Sequence, residues 1–316
     1  STNTITNTGS FQPNLVWLKC RSSVNDNVLI DSIRGTNKVL SSNLSSAQST
    51  NATLTSFNVN GFSLSGSDGS FNANAATYVG WQWQAGQGTT SSNTNGSITS
   101  TTSVSTTSGF SVVTYAASAA NATVGHGLGV APKMVIVKAY NDSGRNWATW
   151  HTAISGTQYL NLNTTAAVAT DSAFWNSTTP TSTVFSIGTH VDTNRSGNLY
   201  VAYCFAEIAG FSKFGSFTGN ASTDNAFVYT GFRPKYVMMK RTDAVDVWLI
   251  IDSVRSPYNA VNIEIYANSS AAESTPGASY TEDLLSNGFK IRNSGINGTW
   301  IYAAFAESPF KNALAR

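Results

Sequence analysis

The chain is poor in charge, in cysteine and in histidine. Only 11% of its 316 residues are Asp, Glu, Lys or Arg, under half the roughly 25% common in globular proteins. The 18 basic and 16 acidic residues leave a net charge of +2, and no basic run exists to track a phosphate backbone, so nucleic acid is not an expected partner. Two cysteines cannot form a disulfide framework or a zinc ligand set. Cys20 ends an apolar run and Cys204 lies inside another, so both are expected free and buried. No apolar stretch approaches the roughly 18 residues of a membrane span, and no signal peptide opens the sequence. What is present is Ser, Thr, Asn and Gly in quantity, with 41% hydrophobic and 11% aromatic residues. That is enough apolar material for real cores and argues against disorder.

One strand-like segment is written three times: "YVGWQWQ" from Tyr78, "YVAYCFAE" from Tyr200 and "IYAAFAE" from Ile301. A second landmark, Pro-x-(apolar)-Val-x-x-Lys, occurs as "PNLVWLK" (13–19), "PKMVIVK" (132–138) and "PKYVMMK" (234–240). From each Pro to the aligned aromatic, Trp83, Phe205 or Phe305, the intervals are 83 − 13 = 70, 205 − 132 = 73 and 305 − 234 = 71. Between the landmarks lie "VLIDSIR" (28–34), "WATWHTAI" (147–154) and "WLIIDSVR" (248–255), then a turn and strand at "NGFSLSG", "TVFSIG" and "NGFKIRNSG". Matching landmarks at a fixed period are the signature of an internal repeat.

These runs are short, rich in Val, Ile, Tyr, Trp and Phe, and bounded by Gly, Asn, Ser and Asp, which reads as β-strand. In the second copy Val201, Tyr203 and Phe205 face one way and Tyr200, Ala202 and Cys204 the other. Short helical turns are expected only at "SSAQST" and "SSAAEST", near Ala47 and Ala272. The expected fold is all-β: tandem antiparallel, jelly-roll-like β-sandwiches of six to eight strands, in three units. Unit one spans 1–86, a Ser/Thr-rich linker 87–108 with an edge strand near "SITST", unit two 109–210 and unit three 211–316. Units two and three open with a strand, a turn and a second strand; unit one has only "STNTITNTGSFQP" before Pro13. Its opening strand is expected upstream of residue 1.

Chemistry finds little purchase in the repeat. The three histidines, His126, His151 and His190, all lie in unit two. His151 stands where the other units carry Asp31 and Asp252, a strand-end polar contact rather than a general base. Glu207 and Glu307 occupy equivalent places in different units and so do not form the facing pair of a glycosidase. Lys19, Lys138 and Lys240 recur at one strand position; in units two and three an ion pair with the Glu of the last strand is a candidate role. "DTNRSG" (192–197) lacks the Glu and the spacing of a calcium loop, so neither metal nor cofactor is expected. Trp17, Trp81, Trp83 and Trp300 read as core. Trp175, in "DSAFWNSTTPTS", and Tyr258, after "RSP", lie in turn-rich segments and are the candidate contact residues for a sugar face or a protein.

The segments "GHGLGVAPKMVIVK", "YVAYCFAEIAGFSKFGSFTGNAS", "FVYTGFRPKYVMMKRTDA" and "IYAAFAESPFKNALAR" resemble a family of bacteriophage virion proteins. The family is common in phages of marine and freshwater bacteria, cyanophages among them. The first unit fits through "FQPNLVWLKCRS", "DSIRG" and "YVGWQWQAG", but carries Gln84 and Ala85 where the others have Ala-Glu. The resemblance implies a virion component, first a tail-fibre or adhesin segment binding a glycan or protein of the host surface. A purely structural role, as capsid decoration or spacer, is the alternative, and a polysaccharide depolymerase the third reading. It implies no catalytic residue, and the chain is expected not to be an enzyme. A fibre displaying three copies would gain most from weak multivalent contacts, so a homo-oligomer is expected, as a trimer, in contact with other virion proteins. Such a protein is made in the host cytoplasm and carried on the particle's tail or capsid surface.

Overall fold

The computed structural model describes residues 2–274 and 280–306. Its architecture is all-β: six antiparallel sheets, three large and three small. The large sheets have five, eight and five strands, and in each the landmark strand pairs with the closing strand. Leu15–Cys20 lies against Tyr78–Trp83, Met134–Ala139 against Leu199–Phe205, and Pro234–Arg241 against Asn297–Ala306. The registers correspond: Leu15 faces Trp83, Met134 faces Phe205 and Tyr236 faces Phe305. On the other side of the landmark strands, Leu15 faces Asp31, Met134 faces His151 and Tyr236 faces Asp252.

Each large sheet is buried on both faces, which is why its strands are almost continuously apolar. One face meets a small sheet and forms a private core. Val16, Leu18 and Ile30 pack with Phe62 and Leu64; Val135, Val137 and Cys204 with Phe185 and Ile187; Val237, Met239 and Ile251 with Phe289 and Ile291. The other face does not stop at its own sandwich. Leu15, Trp17, Trp81 and Trp83 share one cluster with Met134, Ile136, Tyr203 and Phe205 and with Tyr236, Met238, Ile301 and Ala303. Three independent sandwiches were the expectation; the structure joins them through a common hub. The predicted parity holds: Tyr203 and Phe205 point to the hub, Tyr200 and Cys204 to the private core. At the middle of the hub the rings of Trp83, Phe205 and Phe305 form a near-equilateral triangle, with centroids 6.0, 6.0 and 5.8 Å apart. The void among them is only about 10 Å³ and lined by apolar side chains, too small and too dry for water or a ligand.

Four hydrogen-bond types cross between sandwiches, each at three places. The Lys138 Nζ donates to the Ser45 carbonyl at 2.9 Å, Lys240 to Thr165 at 3.1 Å and Lys19 to Ser270 at 2.9 Å. The same three carbonyls accept the amides of Arg145, Asp246 and Asn25. The amides of Gln48, Val168 and Glu273 donate to the carbonyls of Tyr140, Thr242 and Arg21. The Trp147 indole donates to the Ser41 carbonyl, the Trp248 indole to Asn161 and the Asn27 amide to Tyr266. These contacts occupy the backbone of "SSAQST" and "SSAAEST" as far as it is described. The segments run extended across a neighbouring sandwich and are not the helical turns expected of them. The two helical turns fall instead at Ser172–Trp175 and Val191–Asn194, capped by Asp171 and His190.

The Ser/Thr-rich stretch after the first sandwich is a further correction. Ser91–Asn93 and Ser100–Ser105 are strands of the eight-stranded sheet, paired outward from Phe110–Ala116. Ser100, Thr102 and Ser103 are buried, so the stretch is not a linker. Cys20 and Cys204 are both buried and free. Among the described residues no helix is long and apolar enough to cross a membrane.

Candidate binding surface on the third sandwich

The chemically suggestive residues of the sequence mostly serve the fold. Asp31 and Asp252 are fully buried and hold Arg34 and Arg255, three residues on, at 2.6 Å. Asp31 also accepts from the Tyr203 hydroxyl at 2.9 Å and Asp252 from the Trp81 indole at 3.2 Å, each on a neighbouring sandwich. In the second sandwich His151 replaces the Asp and buried Ile154 replaces the Arg, so no charge is left unpaired. Its Nδ1 accepts from the Ala153 amide, which leaves Nε2 to donate to the Tyr302 carbonyl at 3.1 Å. Burial pushes the His151 imidazole down to about 4, so it stays neutral and is no general base at physiological pH.

The three lysines are also structural. Lys19, Lys138 and Lys240 are wholly buried, bonded to carbonyls as described, and lowered by desolvation to about 8. Lys138 does not pair with Glu207; Glu207 pairs with Lys213 at 2.7 Å, and Glu307 lies outside the described residues. Asp192 of "DTNRSG" is buried and accepts from the amide and side chain of Asn146. Among the described residues no group of three His, Cys, Asp or Glu side chains converges.

Of the two expected contact residues, Trp175 is corrected and Tyr258 is accessible. Trp175 ends the turn Ser172–Trp175 and is 2% exposed, packed with Phe174 in the private core. It reaches no partner without opening the sandwich. Tyr258 is 82% exposed. Its loop is fastened to the third small sheet by Asn259, whose side chain donates to the Leu284 carbonyl at 3.1 Å and accepts from the Leu284 amide at 2.9 Å.

That sheet carries two further exposed aromatics. Strand Phe227–Tyr229 forms its edge, beside Gly288–Ile291 and then Glu282–Leu285. Alternation sends Val228 into the core and Phe227 and Tyr229 outward, 45% and 62% exposed. Tyr229 faces Gly288 across the pair. A Cβ at Gly288 would lie 2.1 Å from the Val228 carbonyl oxygen and 3.1 Å from the Phe227 ring, so glycine is required there and leaves the aromatic face uncovered. Polar groups flank it: Lys290 holds Asp224 at 2.6 Å, and Arg292 holds Asp283 at 2.5 Å. Two exposed rings rimmed by two ion pairs make this an amphipathic surface. The corresponding strands Thr2–Thr6 and Ala122–Gly125 carry no aromatic residue. Sequence reasoning sought contact residues in turn-rich segments and so passed over Phe227 and Tyr229. The signal was present in "FVY", where only the middle residue fits the inward parity.

Fold and surface together define an all-β sandwich protein whose most distinctive exposed feature is an aromatic surface flanked by ion pairs. The chain belongs to the family of the domain of unknown function DUF7483, which matches residues 1–309. No curated protein and no solved structure is similar to it.

Proposed function

We propose that the chain is a virion surface protein, a tail-fibre or adhesin segment, that binds a host surface glycan or protein through the third sandwich. Phe227, Tyr229 and Tyr258 are its contact residues. The reading rests on one observation: among the described residues the exposed aromatics belong to the third sandwich alone, while the hub contacts recur at all three. What is common to the sandwiches serves assembly, and what is peculiar to one serves recognition. Shallow aromatic surfaces bind sugars weakly, and display on a particle raises such binding through avidity. The chain's three sandwiches are proposed to be copies of one unit closed about a hub, so that one chain takes the place of three. The test is a glycan array and host-cell adsorption assay with Phe227→Ala/Tyr229→Ala and with Tyr258→Ala. Binding lost in both variants, with unchanged unfolding temperature, is the expected result. Binding retained in both sinks the reading and favours a structural virion component.

A further inference from the structure

The second and third sandwiches differ along one side. In the second, the segment 97–105 runs down that side and joins the two sheets. Ser100–Ser105 pairs with Phe110–Ala116 of the large sheet. Just before it, Ile98 forms a parallel bridge to Val124 of the small sheet. The Ile98 amide donates to the Thr123 carbonyl at 3.1 Å, the Thr123 amide to the Ser97 hydroxyl at 2.9 Å and the Ser100 hydroxyl to the Gly125 carbonyl at 2.8 Å. Ile98 and Val104 pack on the private core, and Tyr115 of the adjoining strand is buried.

The third sandwich has the same two edges and, among the described residues, no strand across them. Ser212–Asn220 is the outermost strand of its large sheet and Phe227–Tyr229 of its small one. Phe110 faces Phe205 as Ser212 faces Phe305, which puts Phe217 in the place of Tyr115. The His126 amide donates to Thr183 as the Thr230 amide donates to Asn287, which puts Phe227 and Tyr229 in the places of Thr123 and Gly125. In an antiparallel pair alternate residues turn their backbone groups away from the partner. The Ile291 amide reaches Ala226 and the Thr230 amide Asn287, so the amides and carbonyls of Phe227 and Tyr229 point to the open edge. On the large sheet the Ala306 amide reaches Phe211 and the Ala221 amide Ile296, so those of Ser216 and Thr218 do the same. Between the two edges Phe217 is only half-buried. Two unpaired edges with an incompletely covered aromatic between them form a site for strand addition. The charges beside it are paired with one another, Lys290 with Asp224 at 2.6 Å and Lys213 with Glu207 at 2.7 Å. Such a side favours an uncharged strand, as the segment 97–105 is.

We propose that this side of the third sandwich takes up an extended, uncharged strand of a partner protein, with an apolar residue beside Val228 as Ile98 lies beside Val124. The inference deepens the proposed recognition role of this sandwich, on which it rests for the partner's place on the host surface. It narrows the ligand from a glycan or protein to a protein strand held by backbone pairing.

The probe is a peptide of the chain's own sequence 95–105, NGSITSTTSVS, added to the full chain at millimolar concentration and followed by amide NMR. Shifts and slowed exchange are expected at Ser216, Thr218, Phe227 and Tyr229, with Thr123 and Gly125 unchanged. The same peptide methylated on its Ile nitrogen is expected to leave all of them unchanged. No response to the unmodified peptide overturns the proposal. Equal binding of the methylated peptide overturns it in favour of stacking on the aromatic rings. Protection of the same amides that grows with chain concentration and without peptide overturns it in favour of a second copy. Peptide binding together with host adsorption indifferent to Phe227→Ala/Tyr229→Ala keeps the strand site and sinks the host-surface reading. Adsorption lost in that variant, with no peptide bound by the parent chain, does the reverse.

Discussion

Glu282 is the residue most at odds with its surroundings. It is fully buried, and neither carboxylate oxygen has a hydrogen-bond partner among the described residues. Desolvation, with the nearby Glu264 charge, holds its carboxyl well above the ordinary range. A carboxyl raised in the folded state contributes its stability fully below the unfolded value near 4.3 and loses it as pH climbs toward the folded value. Glu282→Gln is therefore expected to raise the unfolding temperature, by a margin that widens as pH goes from 4 to 7. A margin constant with pH in thermal melts would contradict this. Trp175 and Tyr258, alike on paper, are expected to part company on substitution. Trp175→Ala empties a buried site and costs about 3–5 kcal/mol in denaturant unfolding. Tyr258→Ala, at an exposed position, stays within about 0.5 kcal/mol.

At the scale of elements, the segments that cross between sandwiches bind them into one body. The next-to-last residue of each landmark strand is a buried lysine whose ammonium binds a carbonyl of the adjoining sandwich, and each Asp or His at the turn reaches a neighbour as well. A lysine lowered in the folded state is favoured by high pH: between about 8 and the unfolded value near 10.4 the unfolded chain binds more protons. Lys138→Met is expected to flatten any rise of stability with pH in that window, read from urea midpoints at pH 8 and 10. Asp252→Ala leaves Arg255 with Glu273 at 3.2 Å as its remaining carboxylate and takes a partner from Trp81, at a cost of about 1–3 kcal/mol. The Asn-x-Ser/Thr triplets at Asn43 and Asn268 belong here too. Their side-chain oxygens accept the amides of Asn27 and Trp248, so these asparagines are turn supports.

For the whole molecule the hub decides what is independent. The face carrying Met134, Ile136 and Phe205 is covered only when all three sandwiches are present. Residues 109–210 expressed alone are expected to expose that face and aggregate, whereas the full chain should unfold in one calorimetric transition. Two transitions would mean that the sandwiches are separate folding units after all. The hub also bears on self-association. The inner faces are covered within one chain, so the chain is predicted to sediment as a 33.5 kDa monomer, and a species of three times that mass would instead support a trimer formed through outer surfaces.

The sequence by itself determined the strands and their faces. Alternation in "YVAYCFAE", the landmark spacing and the Gly and Asn turns are local signals, and local backbone geometry carries them into the structure unchanged. It also determined that both cysteines stay unpaired, because they stand at unlike positions. Only the tertiary structure decided what lay beyond each face. A buried face reads the same whether it meets its own small sheet or a neighbour's closing strand, so the hub was invisible in the apolar pattern. The lysines looked like candidates for ion pairs because a sequence does not show backbone carbonyls converging. Trp175 looked like a loop aromatic because Asp171, by capping a single turn, folds a polar segment over it. Phe227 and Tyr229 drew no notice because contact residues were sought in turns rather than on strands. Their exposure follows from lying at the outward parity of an edge strand opposite Gly288, where no Cβ fits to cover them.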